Sequence, residues 1–384
     1  MKKKFPLILV LLIAITSSAI YTTKVKELKD ITSKKQSNQI VLDGIFKKYG
    51  TAANKIVSKM TIEEKVGQLF LVRYSKNDVE YLSNFYPGGY ILFAKDFDNH
   101  TKEEMKKELE TVQNQNKYPL ILGVDEEGGY VTRVSRYPEY RKEKFKAPKD
   151  YYEEGGYELL EKMEREKSEL LKSIGLNLNL APVVDISTDE KDFIYNRSFG
   201  KDSEKTSEFA EKMVEYANNN NINSTLKHFP GYGNNKDTHT GIAVDEREYQ
   251  SFVDNDYKPF EAGIKAKVPS ILVSHNIVKC IDENYPSSLS KKVISELRNK
   301  LKFTGIIMTD DLAMDAVKSY VEDEKAATMA INAGNDMIIT SDFMSMKNEL
   351  LKSVENKEIK EETINKAVTR IIAWKLYSNL KIKE

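Results

Sequence analysis

Asn223-Ser224-Thr225-Leu226-Lys227-His228-Phe229-Pro230-Gly231-Tyr232-Gly233 decides how this chain is read. Apolar and β-branched residues mark a strand, and Pro230, Gly231 and Gly233 mark the sharp turn that ends it. Lys227 and His228 stand where the strand gives way to the turn. Asp237-Thr238-His239 follows within the same loop, in a chain that has only four His. Ionisable groups on a loop leaving a strand are how α/β proteins assemble reactive sites.

Working outward, seven more short runs have the same near-continuous apolar character. They are Gln68–Arg73, Tyr90–Phe93, Leu120–Val124, Leu178–Val184, Ser270–Val273, Gly305–Met308 and Asp336–Ile339. Such runs suit strands of a parallel sheet buried on both faces. Segments of helical period lie between them. Thr61-x-x-Glu64 and Thr101-x-x-Glu104 read as capping boxes, Ser290 as an N-cap, and Gly334 as a helix stop. Eight alternations of strand and helix predict a (β/α)₈ TIM-type barrel. Periodicity alone leaves a doubly wound open sheet as the alternative. No internal repeat is visible, and one catalytic domain is expected over 51–384.

The strand ends sharpen this reading. Asp125 follows the third strand and Asp185 the fourth. Lys227 and His228 end the fifth, His275 the sixth, and Asp310 and Asp311 the seventh. Surface solvation explains one charged strand end readily and five in succession poorly.

Each constellation has a chemical and a plain reading. Asp237 can orient the His239 ring through one nitrogen and leave the other for proton transfer, or it can merely cap a turn. Of Asp310 and Asp311, one can face the barrel mouth as a nucleophile, base or metal ligand while its neighbour holds backbone donors. Asp125 can accept from ligand hydroxyls, and Arg133 and Arg197 can donate to ligand oxygens or form surface ion pairs.

Composition narrows the class. The 384 residues carry 59 Lys+Arg and 59 Asp+Glu, so no net charge favours nucleic acid. The single Cys, Cys280, excludes an internal disulfide and a thiolate cluster, and is expected in the core. Neither H-x-H nor H-E-x-x-H occurs, nor a phosphate-binding Gly-rich motif, so neither metal nor nucleotide cofactor is expected. Lys2, Lys3 and Lys4, then the apolar run Phe5 to Ile15, then Ser17-Ser18-Ala19 read as an export signal, with an uncleaved membrane anchor as the alternative. On this reading residues 1–19 are signal or anchor, 20–50 a polar tether, and the protein is exported and envelope-associated.

Six ordered motifs resemble the family 3 glycoside hydrolases, within them the bacterial β-N-acetylhexosaminidases that act on muropeptides. They are Pro87-Gly88-Gly89-Tyr90-Ile91-Leu92-Phe93, Asp125-Glu126-Glu127-Gly128-Gly129, Asn196-Arg197-Ser198-Phe199-Gly200, Lys227-His228-Phe229-Pro230-Gly231, Asp237-Thr238-His239 and Thr309-Asp310-Asp311-Leu312-x-Met314. The resemblance runs from Lys59 to about Trp374. It implies Asp310 as the nucleophile, His239 as general acid/base oriented by Asp237, and Asp125, Arg133, Arg197, Lys227 and His228 as holders of the terminal sugar. Thr238 stands where Ser is usual and Tyr232 where His is common. The implied activity is removal of terminal N-acetylglucosamine from cell-wall fragments, and a single barrel is expected to work as a monomer. The rivals are a β-glucosidase or phosphorylase of the same family and a non-catalytic sugar-binding barrel. A His donor would not repel phosphate as a carboxylate would, which is the chemical route to phosphorolysis.

Overall fold

The computed structural model describes residues 39–235, 243–314, 317, 320–321 and 325–382. The apolar run Phe5 to Ile15 and the segment Asp237-Thr238-His239 lie outside the described residues. Residues Leu42–Glu384 cluster as one compact unit.

Among the described residues ten strands occur in chain order: β1 (Phe70–Arg73), β2 (Gly89–Leu92), β3 (Ile121–Val124), β4 (Leu178–Asn179), β5 (Asn223–Phe229), β6 (Val244–Asp245), β7 (Ser270–Val273), β8 (Ile277–Val278), β9 (Ile306–Asp311) and β10 (Met337–Thr340). Eight of them close into a parallel barrel in the order β1-β10-β9-β7-β5-β4-β3-β2. All eight expected strands are therefore present, and closure of β1 on β10 (Phe70 opposite Ile338) selects the barrel over the open sheet. β6 and β8 form a separate two-stranded parallel pair between two loops at the barrel mouth.

Strand ends differ from expectation for identifiable reasons. β5 continues through Lys227 to Phe229, and β9 through Asp310 and Asp311. The β5–β7 ladder shifts register between Leu226 and Phe229 and resumes with Phe229 opposite Val273, while β9 stays paired through Thr309 opposite Val273 and Asp311 opposite Ile339. β4 stops at Asn179, short of the expected Val184. Pro182 has no N–H for a ladder, although the chain stays beside β5 through Thr225 N to Ala181 O (2.9 Å) and Val184 N to Lys227 O (2.8 Å).

The helix signals hold. Thr61 and Thr101 both form capping boxes, Ser290 Oγ accepts from Val293 N at 3.2 Å, and Gly334 is left-handed at its helix end. Two sequence expectations need correction. The tether was placed through residue 50, yet Gly44–Tyr49 is helical, with Phe46 buried and packed edge-on against Tyr377 of the last helix, Glu361–Tyr377. Cys280, expected in the core, is exposed, because it falls in the turn after β8 rather than on a strand.

Candidate active site

The C-terminal strand ends surround a cavity of about 400 Å³. Of the eight residues given roles by the family resemblance, six line it: Asp125, Arg133, Arg197, Lys227, His228 and Asp310. The remaining two, Asp237 and His239, follow β5 in the sequence and lie outside the described residues. Phe93, Leu272, Met314 and Ile339 supply apolar wall.

The floor is an ion-paired chain. Lys227 Nζ donates to Asp125 Oδ1 at 2.6 Å and contacts Glu127 Oε1 at 2.7 Å. Arg197 forks onto the same Glu127, with Nη2 to Oε1 at 2.8 Å and Nε to Oε2 at 3.0 Å. Burial alone would raise the Glu127 carboxyl, but Arg197 and Lys227 outweigh it and hold the group well below the usual carboxylate range. Burial likewise opposes charge on Lys227, and Asp125 and Glu127 reverse it, so the ammonium is held above its ordinary value. Glu127 was not assigned a role from sequence. The run Asp125-Glu126-Glu127 signalled acids at a strand end, but not which one would meet an Arg seventy residues later.

His228 has its tautomer fixed by its neighbours. Arg197 Nη2 lies 3.2 Å from His228 Nε2, and guanidinium only donates, so Nε2 accepts. Nδ1–H therefore donates to Asp185 Oδ2 at 2.7 Å. Asp185 also accepts from the backbone N–H of His228 (3.1 Å) and, through Oδ1, of Tyr232 (2.8 Å). Tyr232 is buried with its ring edge-on to His228, at 5.0 Å between centroids.

Glu126 shapes the loop that carries Arg133. Its fully buried carboxylate accepts from the backbone N–H groups of Arg133 (2.7 Å), Val134 (2.7 Å) and Ser135 (3.3 Å), and from the Ser135 hydroxyl. Arg133 is thereby placed over the Phe93 ring, 5.3 Å from its centroid, with Nη2 4.0 Å from Asp125.

The two acids closing β9 divide their work. Asp310 lines the cavity, with Oδ1 accepting from Asp311 N at 2.8 Å. Asp311 Oδ1 accepts from Ala313 N (2.9 Å) and Ser341 N (3.2 Å), tying the strand to its loop, and burial pushes this carboxyl up. His275 does not line the cavity. Its Nε2 must donate to the Asp311 carbonyl (3.1 Å), so Nδ1 accepts from the Ser288 hydroxyl (2.7 Å), and the ring braces the strand end.

Acids, bases and a shaped wall at the mouth of a barrel suit recognition of a polyhydroxyl ligand. Residues 61–374 match the glycosyl hydrolase family 3 N terminal domain. The chain belongs to glycoside hydrolase family 3. Within the family it is similar to proteins named beta-hexosaminidase. That of Nitrosomonas eutropha is 29% identical over 288 residues, covering 73% of this chain and 81% of the relative. That of Haemophilus influenzae is 31% identical over 278 residues, covering 69% and 75%. Among solved structures, a family 3 β-N-acetylglucosaminidase from a Paenibacillus species superimposes with a TM-score of 0.78 at 25% identity. That match covers 84% of this chain and 63% of the Paenibacillus chain. The family places this protein among enzymes that cleave glycosidic bonds.

Proposed function

We propose that this family 3 enzyme is a retaining exo-β-N-acetylglucosaminidase that removes terminal N-acetylglucosamine from β-1,4-linked N-acetylmuramic acid in peptidoglycan fragments. The observation that carries the reading is the position of Asp310 in one wall of a cavity whose floor is the Asp125–Lys227–Glu127–Arg197 chain. The hexosaminidase names of the relatives and the Asp237-Thr238-His239 motif support the N-acetyl specificity.

In this mechanism the terminal sugar sits on the charged floor, with Lys227, Arg197 and Arg133 donating to its oxygens and Asp125 accepting from its hydroxyls. Asp310 attacks the anomeric carbon while His239, oriented by Asp237, protonates the glycosidic oxygen and the leaving sugar departs. Water, deprotonated by His239, then releases the sugar from the covalent glycosyl-Asp310 intermediate. The basic and apolar N-terminus supports export, with action outside the cytoplasmic membrane on fragments of the wall.

The test is turnover of 4-nitrophenyl β-N-acetylglucosaminide against the matching β-glucoside, with Asp310→Ala alongside, followed by mass analysis of a GlcNAc–MurNAc digest. Activity on the N-acetyl compound, loss of at least about a thousandfold in Asp310→Ala, and release of free N-acetylglucosamine are expected. Preference for the glucoside would remove the N-acetyl assignment. Appearance of a sugar 1-phosphate in phosphate buffer would replace hydrolysis by phosphorolysis.

A further inference from the structure

Between β5 and the helix Tyr257–Lys265 the chain is described as two stems, an outgoing one from Phe229 to Asn235 and a returning one that begins at Ala243 and runs through β6. Among the described residues, Arg247 and Asn235 join the two stems, and Arg247 makes the larger set of contacts. The guanidinium grips the returning stem at Asp245, with Nε to Oδ1 at 3.1 Å and Nη2 to Oδ2 at 2.7 Å. It grips the following helical turn at Asp256, with Nη1 to Oδ2 at 2.9 Å. It also reaches the outgoing stem, donating from Nη2 to the Gly231 carbonyl at 3.3 Å. The Phe252 ring covers it, 4.3 Å from its centroid.

The outgoing stem is shaped to receive this group. A Cβ at Gly233 would lie 2.6 Å from Arg247 Cζ, and one at Gly231 would lie 2.3 Å from Asp256 Oδ1. Neither position therefore admits a side chain while the ion pairs stand. Asn235 Nδ2 completes the closure by donating to Asp245 Oδ2 at 2.6 Å. Each stem is separately fixed to the barrel, the first by Asp185 accepting from Tyr232 N and the second by pairing of β6 with β8. Arg247 locks these two anchored stems to each other. Asp245 and Asp256 are both almost fully buried, so they have little access to water as a substitute for this cation.

Residues 236–242, which include Asp237 and His239, are the sequence between the two locked stems. We propose that Arg247 is a positioning residue for proton donation, setting the take-off and return of the segment that bears His239. The inference rests on the assignment of His239 as the general acid. It implies that loss of Arg247 costs most where the leaving group needs a proton, and little where it does not.

The experiment measures kcat/KM for wild type, Arg247→Met, Arg247→Lys and His239→Ala across aryl and alkyl β-N-acetylglucosaminides of rising leaving-group pKa. Arg247→Met is expected to lose about a hundredfold on the methyl glycoside and under about threefold on the 2,4-dinitrophenyl one, the spread a displaced general acid produces. Arg247→Lys keeps the charge without the fork and is expected to recover part of the loss on poor leaving groups. A uniform loss across the series, or no loss, overturns the positioning role. If Arg247→Met fails to fold, the same slope measured on Arg247→Lys decides. His239→Ala separates the two failures: a flat response there removes the general-acid reading, whereas a steep response beside a flat Arg247 series removes only the positioning role.

Discussion

The barrel buries charge at both ends, to opposite purpose. At the bottom, Lys375 is fully buried and donates to Gln68 Oε1 at 2.6 Å, and Gln68 in turn donates to the carbonyls of Tyr86 and Pro87. Asp336 is enclosed there by Arg298, Arg370 and the backbone N–H of Ile307. At the mouth, Lys227, Arg197 and Glu127 are paired just as closely, but they line a cavity. The pKa pattern runs against intuition. Burial pulls Lys375 down to about 7, whereas the paired carboxylates keep Lys227 above its ordinary value. A displaced pKa is thus no mark of a reactive site by itself; partners and access to ligand decide.

The largest break in this comparison is Lys227→Met. It leaves Asp125 and Glu127 with one cation fewer in a buried floor, at a cost of about 3–5 kcal/mol. A fall in kcat/KM of at least about a hundredfold is expected, with the circular dichroism spectrum retained. Activity within about threefold of wild type would show that the floor is scaffolding rather than a binding surface.

Lys375→Met sharpens the contrast, since activity should stay within about twofold while stability changes with pH. In the native state Lys375 releases its proton near pH 7, whereas an unfolded lysine does so near about 10.4. Between those values the unfolded chain binds the extra proton, so wild-type stability rises with pH across that window. Methionine removes the rise. The variant should gain about 1–3 kcal/mol at pH 6, after the cost of an unpaired Gln68 oxygen, and fall about 1–3 kcal/mol below wild type near pH 10, where that cost is no longer offset. Denaturant midpoints at pH 6, 8 and 10 measure this, and a constant offset would refute the assignment.

Much of this was legible because parallel barrels write their strands as apolar runs and their sites as charges at the ends of those runs. Lys227, His228 and Asp310 were found by position alone. What escaped depends on contacts between distant segments. Asp185 was visible as a strand-end acid, but its hold on His228 and Tyr232 arises only when β4 and β5 lie side by side. His275 looked equivalent to His228, yet it turns to the Asp311 carbonyl and away from the cavity. Cys280 was placed in the core by residue type, whereas its position after β8 leaves it in solvent. The Pro182 backbone cut β4 short where composition read an unbroken strand.

The pairing of Glu127 with both Lys227 and Arg197 has a consequence for the approach of substrate. The three cations of the cavity wall, Arg133, Arg197 and Lys227, face Asp125, Glu127, Asp310 and Asp311, so most of the wall's charge is cancelled locally. The whole chain carries no formal net charge either. A glycan should therefore arrive by unassisted diffusion and be sorted only on contact. Turnover at low substrate should then change by less than about twofold between about 10 and 150 mM salt, and a steep decline would reveal steering.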